Sequence, residues 1–291
     1  MSSNSQLLDL TLLNLALQED LGPALQDVTT ELLFPKCESL YQSCIISKQQ
    51  EPIVICGISW TNYLFQQLSS HCEIHSDYTD GQLLYPGQTL MTIHGDAHSL
   101  LKAERIALNF LRHLCAIATL THQYVTRVAH TTLKILDTRK TTPGLRHLEK
   151  YAVQCGGGVN HRMGLYDAIM IKDTHVDLLK GMENALQLLP SLRSQTLPVI
   201  VEVRSRAELA TVLDYGREKV NRVLLDNMSA QELADCVSLC KGIFETEASG
   251  NIRLDTIVRI AESGVDYASI GELTYNAGHV DLSMYTHRDE V

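Results

Sequence analysis

The chain has 291 residues, 45% of them apolar and 20% charged, with 34 acidic against 24 basic side chains and a net charge of -10. This length buries a core of enzyme size, as one barrel-sized domain or two smaller ones. The acidic balance argues against nucleic acid and anionic membrane as partners, since both select basic surfaces, and no apolar run approaches the ~20 residues of a membrane span.

Met1 to Gln6 is polar, without the charged-then-apolar order of a signal peptide. Leu7, Leu8, Leu12, Leu15 and Leu21 then recur at roughly helical spacing up to the stop signal Gly22-Pro23. Two strands are expected over Leu40 to Ser47 and Pro52 to Ile58, and a short helix over Trp60 to Ser69. Asp80-Gly81 and Pro86-Gly87 mark turns, with a strand over Thr89 to His94. No lysine sits at a hairpin tip between those turns, so a swinging-arm carrier is not indicated and a small α+β unit is. From 103 to 128, Ile106, Phe110, Leu114, Ile117, Thr121, Val125 and Val128 fall three to four apart without Gly or Pro, which predicts a long helix bridging two halves.

Beyond it the pattern becomes strand-then-helix. Strands are expected over Leu133-Asp137, Ala168-Lys172, Pro198-Val203, Arg222-Asp226, Ile243-Glu247 and Tyr267-Gly271. Helices are expected over Gly181-Leu192, Ser205-Tyr215, Ser229-Cys240 and Leu254-Glu262, with a capping box at Ser229 to Glu232. The strands are continuous apolar runs, as in a parallel sheet buried on both faces, and six such units imply an α/β barrel or a doubly wound sheet. The eight cysteines contain no Cys-x-x-Cys pair, so reduced thiols and a cytoplasmic setting are expected. Cys236 and Cys240, one helical turn apart without a His partner, suggest packing rather than metal.

The strand ends favour the barrel. They carry Asp137-Thr138-Arg139-Lys140, Lys172-Asp173, Glu202, Asp226-Asn227, Glu247-Ala248-Ser249-Gly250-Asn251 and Ile270-Gly271-Glu272. Barrel chemistry collects at the C-terminal rim, and the last two loops often bind phosphate. Ser249-Gly250-Asn251 and Gly271 suit that role through unhindered backbone amides. Between Lys134 and His175 seven Lys and Arg residues stand against four acids, a local +3 inside an acidic chain. Such an excess fits a pocket for a highly charged anion.

Each residue also has a plainer reading. Lys172 after an apolar run needs an anion, which could be Asp173, Asp137 or a substrate. Glu202 could form an internal salt bridge, His161 could cap a turn, and the triple glycine 156 to 158 could only permit tight packing. Arg105 taken alone is a surface cation, and no chemistry is assigned to His175, Arg146 or Cys155. Lys172 could also serve as the amine of a Schiff-base aldolase, although that leaves the neighbouring Arg139, His161 and Arg162 unexplained. A non-catalytic anion-binding protein would leave Glu202 and Asp226 without a purpose.

Leu136 to Gly144 (with Thr138-Arg139-Lys140-Thr141-Thr142-Pro143-Gly144), Gly156 to Arg162 (with Asn160-His161-Arg162), Ile171-Lys172-Asp173, Glu202-Val203, Leu225 to Met228 and Glu247 to Asn251 resemble nicotinate-nucleotide pyrophosphorylase (carboxylating), also called quinolinate phosphoribosyltransferase. Glu104 to Leu111 shares the likeness, which spans nearly the whole chain. The resemblance implies an incomplete α/β (TIM-like) barrel with an N-terminal α+β sandwich-like domain. It implies residues 1-116 as the N-terminal domain, 117-275 as the barrel and 276-291 as a tail returning to the first domain. It implies a homodimer and the conversion of quinolinate and phosphoribosyl pyrophosphate to nicotinate mononucleotide, pyrophosphate and carbon dioxide with Mg²⁺.

By motif, Arg139, His161, Arg162 and Lys172 would hold the quinolinate carboxylates, with Arg105 reaching in from the neighbouring subunit. Lys140, Glu202 and Asp226 would hold the ribose and pyrophosphate with Mg²⁺, and Thr138 stands in the same strand-end string. Ser249, Gly250, Asn251, Ile270, Gly271 and Glu272 would line the phosphate end. Lys140, Lys172, Glu202 and Asp226 are the expected catalytic set. Two departures stand out: Glu272 replaces a usually small residue beside the phosphate, and the Glu202 to Asp226 interval is slightly long around Arg217-Glu218-Lys219.

Overall fold

The computed structural model describes residues 10-35, 39-191 and 196-288. Leu7, Leu8, Cys37 and Leu192 lie outside them, as does Met1 to Gln6. The chain divides into two compact units, one of Met1–Leu120, Thr142–Gly157 and Asn276–Val291, the other of Thr121–Thr141 and Gly158–Tyr275.

In the first unit, helix α1 (Leu10–Leu21) buries Leu13, Leu17 and Leu21 at i, i+4 and i+8. Leu15, expected on the apolar face, is 60% exposed. The row one turn on from Leu15 meets Gln18 and Glu19, whereas the row from Leu13 is leucine throughout. After α2 (Val28–Leu33) come β1 (Leu40–Ser47), β2 (Ile53–Val54), α3 (Ile58–Leu68), β3 (Glu73–His75), β4 (Leu83–Leu84) and β5 (Thr89–Asp96). The strand expected over Pro52 to Ile58 shrinks to β2. Gly57 turns the chain at φ 111, and Asp80 Oδ1 accepts from the amides of Gly57 and Ile58 at 3.0 and 3.1 Å, so α3 starts there.

Helix α4 (Ala97–Arg127) has 31 residues, roughly 46 Å of helix. It begins ahead of the periodic stretch because Asp96 caps it, accepting from Ser99 N at 2.9 Å and Ser99 Oγ at 2.7 Å. Helix α5 (Arg146–Cys155) escapes sequence periodicity because its inward face carries charge: Glu149 and Lys150 are fully buried. Glu149 is matched there by His113 Nε2 at 2.9 Å and Thr142 N at 3.1 Å. The last strand, β12 (Leu282–Arg288), pairs antiparallel with β1 to complete a sheet of order β12-β1-β5-β3. Ile45, Ile53, Leu64, Phe65, Leu84 and Met91 form the dry interior of this unit.

The second unit contains β6 (Lys134–Leu136), β7 (Ile169–Ile171), β8 (Val199–Val203), β9 (Arg222–Asp226), β10 (Glu245–Ser249) and β11 (Tyr267–Ser269). Between and after them lie α6 (Asp173–Leu178), α7 (Met182–Gln187), α8 (Arg206–Tyr215), α9 (Ala230–Cys240), α10 (Ile257–Glu262) and α11 (Glu272–Tyr275). The strands are parallel in the order β6-β11-β10-β9-β8-β7. The first strand thus joins the last, while β6 and β7 share no ladder among the described residues. That is the incomplete α/β barrel, beside a mixed α+β unit. The capping box of α9 is present, with Ser229 N on Glu232 at 2.8 Å and Glu232 N on Ser229 at 3.3 Å. Cys236 and Cys240 are fully buried on that helix, as packing residues are.

Candidate active site

The barrel unit supplies three groups of polar residues. The first lies on the neighbouring strands β7, β8 and β9. Lys172 follows β7 and begins α6, and it is solvent-exposed, contrary to the buried position its apolar run suggested. The run ends at Ile171, so the ammonium leaves the sheet. Glu202, expected at a strand end, is the fourth of five residues in β8, and Asp226 closes β9. Burial raises the Glu202 pKa; the positive Lys172 opposes this, while Asp226 and Asp173 add to it. A carboxyl group held against its own ionisation beside a second carboxylate is a place where a cation is welcome. Both donors are carboxylate oxygens, as Mg²⁺ requires. Among the described residues they do not gather with a third His, Cys, Asp or Glu into a three-ligand cluster.

The second group is cationic. Burial lowers the Arg162 pKa, and the charge of Arg139 lowers it further, so the two guanidinium groups lie close enough to repel. Arg162 Nη1 donates to Ala168 O at 3.2 Å. His161 is fixed at three points. Its amide donates to buried Asp137 Oδ1 at 2.8 Å, its Nδ1 accepts from Arg162 N at 2.7 Å, and its Nε2 lies 3.3 Å from Glu247 Oε1. Arg222 Nη1 donates to the other Glu247 oxygen at 3.0 Å. His161 and Arg162 also line a cavity of about 460 Å³ whose further walls include Asn221, Arg222 and Glu245 from strand starts.

Asp137 and Glu247 stand in the strand-end strings without an assigned role and Arg222 was not singled out, yet the structure sets all three around His161. Glu247 was expected to end its strand, but β10 runs on to Ser249 and Glu247 stands at its centre. Its pairing with His161 and Arg222 lets an acid occupy a fully buried strand position. Arg222 opens an apolar strand, and its stacking 3.6 Å over the Tyr267 ring leaves no sequence signal.

The third group is the glycine-rich end. Ser249 O accepts from Asn227 N at 2.8 Å, and Asn251 Nδ2 donates to Asn227 Oδ1 at 3.1 Å. Asn227 and Asn251 adopt φ 55 and 51, and Gly250 between the strands' ends has φ 93. A Cβ on Gly250 would lie 2.1 Å from Asn227 Oδ1, so only glycine fits. Ile270 extends the β11 ladder by donating to Leu136 O at 2.9 Å. The Lys140 side chain crosses Gly271, whose added Cβ would sit 3.1 Å from Lys140 Cδ, and Thr274 Oγ1 holds Lys140 O at 2.7 Å. Thr138 Oγ1 accepts from Lys140 N at 3.0 Å, which turns the strand end. The Glu272 carboxylate is engaged by the Tyr124 hydroxyl on α4.

Arg105 is exposed on α4 in the first unit. His175 serves locally, accepting from Lys172 N through Nδ1 at 3.0 Å. The barrel unit thus carries a carboxylate pair and a glycine-rich loop toward the C-terminal ends of its strands, and a cationic cluster whose cavity is walled from the strand starts; an α/β barrel enzyme for polyanionic substrates is the class this charge pattern suits.

Sequence comparisons make the class specific. The C-terminal domain of quinolinate phosphoribosyl transferase matches residues 117-285, and its N-terminal domain matches 27-115. The chain is 37% identical to the chloroplastic nicotinate-nucleotide pyrophosphorylase (carboxylating) of Oryza sativa subsp. japonica, over 94% of this chain and 76% of that protein. It is also 37% identical to quinolinate phosphoribosyltransferase (decarboxylating) 1 of Nicotiana glauca, over 94% and 80%. The nicotinate-nucleotide pyrophosphorylase structure from Francisella tularensis superposes with a TM-score of 0.87 at 34% identity, covering 95% of both chains. The chain belongs to the quinolinate phosphoribosyltransferase family.

Proposed function

We propose that this chain transfers the phosphoribosyl group of phosphoribosyl pyrophosphate to quinolinate, releasing pyrophosphate and carbon dioxide and leaving nicotinate mononucleotide for NAD synthesis. The observation that carries this reading is the match of both quinolinate phosphoribosyl transferase domains to this chain, with Arg139 acting on Arg162 as a like-charged neighbour. Two neighbouring guanidinium groups suit a ligand with two neighbouring carboxylates.

In this reading Arg139, His161, Arg162 and Lys172 orient the pyridine diacid so that its nitrogen faces the anomeric carbon. Lys140 and the Ser249 to Asn251 and Ile270 to Glu272 backbone hold the phosphates. Glu202 and Asp226 stabilise the positive charge that develops on the sugar as pyrophosphate departs. Mg²⁺ bound near them would neutralise the leaving group. Once the ring nitrogen bonds to the sugar it is a pyridinium, the electron sink for loss of the adjacent carboxylate. Loss of carbon dioxide leaves its electron pair on the ring carbon, which takes up a proton from water, and positioning supplies most of the acceleration.

The same reading makes the protein a cytoplasmic homodimer in which exposed Arg105 of one subunit reaches the partner's site. The free thiols of the described cysteines suit a reducing compartment. Among the described residues no helix is long and apolar enough to cross a membrane.

The deciding experiment incubates the protein with carboxyl-labelled quinolinate, phosphoribosyl pyrophosphate and Mg²⁺. Nicotinate mononucleotide, pyrophosphate and labelled carbon dioxide are expected in equal amounts. Pyrophosphate release that does not depend on quinolinate, or no turnover at all, defeats the assignment.

A further inference from the structure

Outside the barrel, the first unit gathers a second set of reactive groups that the phosphoribosyl transfer does not use. Cys56 precedes α3, Asp80 sits in the turn before β4, and Cys155 ends α5. Their two sulfurs and a carboxylate oxygen all lie within 4.8 Å of one another. We propose that Cys56, Cys155 and Asp80 bind a soft divalent cation of the Zn²⁺ class.

The donor set is the first argument. Two thiolates and a carboxylate favour Zn²⁺ over the hard cations that suit the barrel's carboxylate pair. Tetrahedral coordination would need only a small contraction from the present spacing, since Zn–S bonds are ~2.3 Å long.

The surroundings are the second. Asp80 is oriented as a ligating carboxylate is: Oδ1 takes the amides of Gly57 and Ile58, and Oδ2 takes the Tyr151 hydroxyl at 2.9 Å. Behind Cys56, the Cys115 sulfur accepts from Cys56 N at 3.3 Å and lies 3.5 Å from Cys56 O. That fixes the backbone of Cys56 and commits Cys115 elsewhere, so three protein ligands remain with one position for water. Cys56 is fully buried, whereas Cys155 is partly open to solvent and provides the route of entry.

The metal takes the thiols as thiolates. Binding must release their protons, and affinity must climb as pH rises.

The test is equilibrium dialysis of the full chain against ZnCl₂, with Co²⁺ as a spectroscopic substitute. One Zn²⁺ per chain is expected, with a sulfur-to-cobalt charge-transfer band, proton release on binding and tighter binding at higher pH. Cys155→Ser changes a partly open position, and retained circular dichroism will confirm its fold; it should abolish stoichiometric binding. Tyr151→Phe should weaken binding by roughly 10- to 100-fold. Cys44→Ser, on β1 outside the cluster, should leave it unchanged. Absence of stoichiometric Zn²⁺, or equal binding by folded Cys155→Ser, overturns the proposal. So does recovery of the reduced-purified chain with a Cys56 to Cys155 disulfide that blocks the metal.

Discussion

The Nε2 of His161 lies 3.3 Å from Oε1 of Glu247, with the two side chains 8% and 0% exposed. Burial alone would raise the Glu247 pKa, but His161 and Arg222 outweigh it, and the carboxyl titrates below its ordinary 4.5. A depressed acid stabilises the folded state above its unfolded pKa and loses that contribution as pH falls through the folded one. Glu247→Gln should therefore destabilise the protein by about 1–3 kcal/mol at neutral pH and by progressively less below pH ~4.5. It should also raise the KM for quinolinate, because the His161 ring loses its anchor. Chemical denaturation across pH, with steady-state kinetics, measures both. A constant stability difference down to acid pH would detach Glu247 from this role.

Arg139→Ala and Arg162→Ala remove one member each of the repelling pair. Each should cost about 2–5 kcal/mol of quinolinate binding, 30-fold or more in KM, with little change for phosphoribosyl pyrophosphate. Both variants should keep the wild-type circular dichroism, which separates a loss of binding from a loss of fold. Equal losses for both substrates would point to a folding defect instead.

Glu202 carries the opposite sign from Glu247. Its pKa is raised, so its ionisation works against the fold as pH rises past the ordinary value. Glu202→Gln should stabilise the protein by about 1 kcal/mol at neutral pH while severely reducing turnover. The stability gain should vanish below pH ~4, where the wild-type side chain is also neutral. Thermal melts at several pH values, beside kcat and its Mg²⁺ dependence, test the pairing. A destabilised but active variant contradicts it.

Much of this was legible from residue order because the barrel strands are apolar runs buried on both faces and their ends carry unlike residues. The six strands and the capped helix α9 follow directly from that contrast. What escaped was set by tertiary pairing. Helix α5 hides because Glu149 and Lys150 point inward, and β10 was expected two residues early because an acid in mid-strand looks like a terminus. Asp137, Arg222 and Glu247 act through partners far away in sequence, which spacing cannot reveal. The pairing of β12 with β1 joins segments about 240 residues apart, and nothing local announces it.

Gly250→Ala tests the proposed role of the Ser249 to Asn251 loop in holding phosphate. The new methyl would sit 2.1 Å from Asn227 Oδ1 and 3.0 Å from Asn227 N, at a φ of 93 that an L residue resists. A stability loss of at least ~1 kcal/mol is expected, together with a raised KM for phosphoribosyl pyrophosphate and an unchanged one for quinolinate. If the effect instead falls on quinolinate, the loop belongs to the other substrate.

Tyr124 and Glu272 answer the oddity of an acid where the proposed reading would seat a phosphate. The buried phenol holds the Glu272 carboxylate, and burial followed by the carboxylate's own charge raises the tyrosine pKa, so the hydroxyl stays a donor through the physiological range. Tyr124→Phe removes that donor and leaves a carboxylate free to turn toward incoming phosphate. The KM for phosphoribosyl pyrophosphate should rise by about fivefold, equivalent to roughly 1 kcal/mol of repulsion. The double variant Tyr124→Phe/Glu272→Gln should recover most of it, because the charge rather than the shape does the harm. Failure of the second substitution to rescue would mean that Tyr124 acts through packing of α4 and not through the acid it holds.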